Sequence, residues 1–84
     1  MHDIHLVKAI ADLAIFIEFS DDAVLDEDSG VEALEQLTTE LALMETAAKE
    51  ALANQLEALA PSYEDPLLRA FVASLPDALG LDED

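Results

Sequence analysis

The side chains able to do chemistry are few, and their types narrow what this chain can do. Twenty acidic residues stand against three cations, Lys8, Lys49 and Arg69, with two histidines, one tyrosine and no cysteine. Without cysteine there is no thiol nucleophile, disulfide framework or thiolate metal site. His2 and His5 lie too close together at a helix start to converge with Asp3 on a metal ion, and both read as exposed. The densest acidic group is Asp21, Asp22, Asp26, Glu27 and Asp28. A calcium loop of the EF-hand type beginning at Asp26 needs a ligand at Gly30 and an acid at Leu37, and both fail. These carboxylates have a simpler role beside the positive end of the helix that follows. Gly30 and Gly80 are the only glycines, so no glycine-rich phosphate loop exists. Tyr63 reads as a packing anchor. No catalytic residue, metal site or cofactor is assigned, and an enzyme is not expected.

These groups must be positioned by helices. Asp3 suits an N-cap for a first helix running to Phe19. Its main apolar stripe is Leu6, Val7, Ile10, Leu13, Ala14 and Ile17, with Ile4, Ile15 and Phe16 on the flanks. A helix apolar around most of its circumference is buried on more than one side. One side can face a second helix; the other needs a second chain or the C-terminal segment. Leu6, Ile10, Leu13, Phe16 and Ile17 are therefore the expected interface of a homodimer.

After an acidic connection, in which Val24 and Leu25 should fold inward, Val31 to Ala60 reads as one long helix without Pro or Gly. Ser29 and Glu32 form a capping box at its start. Pro61 stops it. Its apolar stripe runs Leu34, Leu37, Leu41, Met44, Ala48, Ala51, Leu52, Leu56 and Leu59, with Leu43 alone on the polar side. Thirty residues at 1.5 Å each would reach about 45 Å, longer than a compact domain of this size is wide. Glu45 and Lys49 are spaced for an i,i+4 pair. Asp65 followed by Pro66 starts a third helix that ends at Leu75, before Pro76, with room for one more turn over Asp77 to Leu79 that Gly80 would stop. Leu81 and the acidic residues after it read as a frayed tail. The expected fold is a single all-α domain over residues 1–84: an antiparallel helical hairpin with a short third helix, dimerising into a bundle.

The formal charge of −17 bounds the partners. It disfavours nucleic acid, whose phosphates need Lys and Arg, and anionic membrane surfaces. It favours a basic protein partner, because complementary charge accelerates encounter. The expected recognition residues are the acidic connection, Asp21, Asp22, Asp26, Glu27 and Asp28, with a stripe of Glu32, Glu35, Glu50 and Glu57. The longest apolar run, Leu13 to Ile17, is far short of the roughly 20 residues needed to span a bilayer. With no basic leader, the chain reads as soluble and cytoplasmic.

Asp28-Ser29 before the long helix is similar to the site at which acyl carrier proteins bear phosphopantetheine, although Gly30 replaces the leucine of their Asp-Ser-Leu. That resemblance would make Ser29 the attachment point. From Ala9 to Leu68 the chain resembles the small acidic immunity proteins that neutralise a bacterial type VI secretion toxin. The shared pieces are a first helix, an Asp-rich turn, Glu32-Ala-Leu-Glu-Gln-Leu37 opening the long helix, and the segment Pro61 to Pro66. The resemblance implies a dimeric helical hairpin that blocks a toxin. The first helix is more apolar here than in that family, so no contact residue is carried over. A structural or adaptor homodimer, its acidity only solubilising, is the alternative.

Overall fold

Asp3 starts the fold as an N-cap, its carboxylate accepting from the His5 amide at 2.8 Å. The computed structural model describes residues 1–21 and 23–81. Those residues form an all-α fold of four helices: α1 (Ile4–Phe19), α2 (Glu27–Ala42), α3 (Thr46–Leu59) and α4 (Pro66–Ala78). A 3₁₀ turn over Ala60–Ser62 extends α3 at Pro61.

The expected long helix is two helices. The Leu43 amide donates to Glu40 O at 3.1 Å and that of Met44 to Leu41 O at 3.2 Å, so the last turn of α2 tightens. Glu45 is then extended (φ −62°, ψ 152°), and α3 begins after it. No Pro or Gly marks the corner, and no side chain caps α3. Two observations account for it. Thr38 and Thr39 donate their hydroxyls back to Leu34 O and Glu35 O at 2.9 and 2.8 Å, bonds that compete with the helical ladder and bend it. The molecule is only 38 Å in its longest dimension, and turning the corner lays α3 on α4 and α1, where most of the apolar surface is buried. Tertiary burial outweighs helix propensity, which is worth only tenths of a kcal/mol per residue. The Glu45–Lys49 pair does not form; among the described residues the ion pair is Lys8–Asp12.

The start of α2 also differs from expectation. Asp26, not Ser29, is its N-cap: the carboxylate accepts from the Ser29 amide at 3.1 Å and the Ser29 hydroxyl at 2.7 Å. Asp26→Ala is expected to lower the melting temperature, and Ser29→Ala to lower it less. Equal losses would return the capping role to Ser29.

The core is small-residue packing. Val7, Ala11 and Ala14 of α1 have no exposed surface and meet Leu52, Ala53 and Leu56 of α3 with Val72 and Leu75 of α4 in one buried cluster. The alanines let α1 sit close to its neighbours, which is how a chain with few aromatics reaches interior density. Phe19 meets Phe71 edge-on at 5.3 Å and ties the end of α1 to α4. In the long apolar stripe Leu41, Leu52 and Leu56 are buried and the other members partly so.

Asp65 caps α4 through the Leu67 amide at 2.8 Å. The helix runs through Pro76 to Ala78 rather than ending at Leu75. A proline this late removes only the bond that it would have donated to Val72. Gly80 ends the helix at φ 70°. The Leu81 amide reaches Pro76 O at 2.8 Å and the Gly80 amide Asp77 O at 3.1 Å, the paired bonds of a Schellman cap. Leu81 is buried and belongs to the core, not to a frayed tail; the acidic residues 82–84 lie outside the described residues. No described helix is long and apolar enough to cross a membrane.

Candidate protein-interaction surfaces

The acidic connection is partly structural. The Asp21 carboxylate accepts from the Ala23 and Val24 amides at 3.1 and 3.2 Å, and its carbonyl accepts from Val24 and Leu25. Asp21 therefore builds the turn. Asp26 caps α2, and the Ser29 hydroxyl bond holds its carboxyl below the usual range. Glu27 and Asp28 occupy the exposed first turn of α2, where the helix dipole favours negative charge. Asp22 lies outside the described residues. Val24 is exposed rather than folded inward, while Leu25 is half-buried against the α1–α2 contact.

Glu32, Glu35, Glu50 and Glu57 are all exposed. The corner at Glu45 divides them: the first pair is on α2 and the second on α3, so they are not one stripe on one helix. Sequence periodicity places each on the correct side of its helix but has no signal for the corner.

The expected dimer face is also divided. Leu6, Leu13 and Phe16 are 53%, 51% and 49% exposed and lie along one side of α1. Ile10 and Ile17 are half-buried at the seam. Ile10 packs on the core, and Ile17 Cγ2 would stand 3.5 Å from a Cβ at Gly30. Leu43, 78% exposed, stands at the α2–α3 corner.

A polar cluster holds α1 to the segment before α4. Tyr63 donates its hydroxyl to Asp12 Oδ1 at 2.6 Å. Lys8 Nζ lies 3.0 Å from Asp12 Oδ2 and 5.1 Å from the centre of the Tyr63 ring. Arg69 donates to the carbonyls of Tyr63 and Glu64, each at 3.1 Å. Two of the three cations are thus engaged in holding the fold. The Tyr63 bond, then Lys8, lowers the Asp12 pKa against the opposing effect of burial. Burial, then Asp12, raises that of Tyr63.

Tyr63→Phe is expected to cost about 1 kcal/mol, less than a buried charged hydrogen bond because Asp12 is half exposed. The pH dependence follows from the signs. Asp12, lowered in the fold, stabilises at pH values above its unfolded pKa of 3.8, and this stability is lost as pH falls through the lower folded value. Tyr63, raised in the fold, stabilises below about pH 10 and loses its contribution as pH rises further. Urea melts of wild type and Y63F should converge toward acid, and above about pH 10 the wild-type advantage should shrink and then reverse, since a phenylalanine there cannot ionise; a constant difference would show that the pair carries no linkage.

His2 is not simply exposed. Its amide donates to Gln55 Oε1 at 2.8 Å, Gln55 Nε2 donates to its carbonyl at 2.7 Å, and its Nε2 lies 2.9 Å from Ala48 O. A carbonyl only accepts, so Nε2 carries the proton. The residue docks the amino terminus on α3. The general signal missed in the sequence is that of polar clasps between distant segments, His2–Gln55 and Asp12–Tyr63, since neither pair has a periodic spacing.

No family model matches this chain, and no curated protein or solved structure matches it.

Proposed function

We propose that this protein is a non-catalytic binding module that covers a basic surface of a protein partner, a toxin encoded beside it being the partner that best suits the chemistry. It works in the cytoplasm as a homodimer paired through Leu6, Leu13 and Phe16. The observation that supports this reading is the distribution of charge: Glu27, Asp28, Glu32 and Glu35 are exposed on one helix and carry no ion pair among the described residues, while Lys8 and Arg69 are held around Tyr63. An uncompensated field of that sign steers cationic surfaces toward it.

The test is co-expression with the product of the adjacent gene, followed by capture through a tag on this chain. Capture that weakens as salt rises supports the reading; no capture removes it. For the homodimer, sedimentation of Leu13→Asp should show a monomer where wild type sediments as a dimer, and a wild-type monomer at micromolar concentration would end that part.

The half-exposed apolar side of α1 favours a second reading on its own, that of a structural or adaptor homodimer without a basic partner. Such a protein would sediment as a dimer and show no salt-sensitive capture. The carrier alternative is separated by intact mass after incubation with a phosphopantetheinyl transferase, since only a carrier gains an adduct on Ser29.

A further inference from the structure

The helix α2 is the least enclosed of the four. Only Gly30 and Leu41 among its sixteen residues are buried, and its main neighbour is α1. Hollows lie at its seam with α1 and along its face toward the end of α4. One open hollow of about 420 Å³ lies between the end of α1 and the start of α2, floored by Ile17, Leu25, Gly30 and Leu34. A second of about 470 Å³ continues it along α2, where Val31, Leu34 and Thr38 face Ala78 of α4. The two adjoin at Val31 and Leu34, which line both. At Gly30, which lines the first hollow, a methyl group would sit 3.5 Å from Ile17 and 3.6 Å from Leu25, in ordinary van der Waals contact.

The banks carry one sign of charge. Glu18 and Glu27 edge the first hollow, Glu35 the second, and Glu32 and Glu40 a third beside it. No Lys, Arg or His lines any of the three.

We infer that this groove receives one amphipathic basic α-helix of the partner, its aliphatic side chains on the Ile17–Leu34–Ala78 floor and its Lys and Arg residues on the glutamate banks. Three features select that occupant. The hollows run along α2, a helix of sixteen residues and about 24 Å, which suits another helix laid alongside rather than a compact side chain or a loop. An apolar floor takes the anchor residues that recur on one helix face. The banks reject a second copy of this chain, whose charge of −17 would meet its own sign.

The inference deepens the proposed function, since it rests on the partner being basic, and it assigns the contact to α2 with the adjoining ends of α1 and α4, rather than to α3 or the Leu6–Phe16 side of α1. Long aliphatic stems of Lys and Arg suit the boundary between floor and bank, because they cover apolar surface while the charged head stays hydrated. Glu50 and Glu57, on α3, take no part.

The experiment uses the full chain, isotopically labelled, and a synthetic helical peptide as long as α2, with Leu on one face and Lys and Arg on the others. Amide shifts on adding the peptide should map to α2 and the end of α4. A peptide with the same Leu face but Glu for each cation should cause none. Val31→Lys places a like charge on the floor, and Ala78→Trp fills the second hollow; both positions are exposed, and circular dichroism confirms that the variants fold. Each is expected to weaken the basic peptide by about tenfold or more, the scale of losing a central contact. Leu43→Ser, outside the groove, should leave binding unchanged. Shifts that map to α3 or to the Leu6–Phe16 side, equal binding of the acidic peptide, or full binding by both variants would each overturn the groove. Capture of the adjacent gene's product separates the two ideas. Salt-sensitive capture that survives V31K and A78W retains the basic partner and removes the groove, whereas peptide binding in the groove without capture retains the groove and removes that partner.

Discussion

Replacing Leu56 with alanine is expected to destabilise the fold by about 2–5 kcal/mol, the range for truncating a fully buried leucine. Leu56 has no exposed surface and sits on α3 in the cluster shared with α1 and α4. That cluster includes the alanines Ala11 and Ala14. Small side chains on rigid helices have little reach to fill a cavity, so relaxation recovers little of the loss. Domains are stable by only about 5–15 kcal/mol, and short ones lie toward the bottom of that range. The variant should therefore unfold at a much lower urea concentration than wild type, with part of the population unfolded without denaturant. Leu13→Ala, on the half-exposed side of α1, should shift the monomer's midpoint little. Similar midpoints for the two variants would show that the core is not where Val7, Ala11 and Leu56 place it.

The second large effect is on association rate. Reversing Glu27, Asp28, Glu32 and Glu35 to Lys inverts the field at the open end of α2. Electrostatic steering raises association rates by about 10–10³-fold, so the reversed variant should bind the basic partner slower by that order at low salt. Wild-type association should slow as ionic strength rises toward physiological values, where exposed charges more than about 8 Å apart are largely screened. Dissociation should change less, because exposed banks mainly govern encounter. Stopped-flow mixing with the captured partner reads both rates. An unchanged association rate would remove α2 as the approach surface and leave the apolar side of α1 as the contact. Asp21 and Asp26 are left out of the reversal, since changing either would disturb the turn or the cap and confuse stability with binding.

Much of this architecture is legible in the residues. Asp3, the apolar periodicity of α1 and the Asp65-Pro66 start locate three helix features, and the apolar residues expected to face inward on α2 and α3 do so in full or in part. The corner at Leu43–Glu45 is not legible, because no residue there is a poor helix former: the back-bonds of Thr38 and Thr39 lie a turn earlier, and the rest of the cause is distant packing. The capping box failed for a related reason. Asp26 and Ser29 are both good caps, and only the turn set by Asp21 decides between them. Pro76 misled in the other direction, since a proline near a helix end costs one bond while the true stop is Gly80. Of the candidate site, every described acidic residue is exposed as expected, but their grouping on α2 and α3 follows from the corner. The groove depends on Ala78 lying across from Leu34, a pairing that local spacing does not encode.

The most extensive helix pairing, α3 with α4, joins neighbours in the chain, linked only through Ala60–Asp65. Short loops close at small entropic cost, and chains rich in such local pairings fold fast. The α3–α4 unit is thus the natural nucleus, with α1 docking afterwards through Val7, Ala11 and Ala14. On this route α2 is a spacer between late and early elements. Substitutions on its outer face fall outside the nucleus and act mainly on unfolding rate rather than folding rate. The helix proposed to carry the recognition charge is therefore the one whose surface can diversify with least penalty to the folding of the chain.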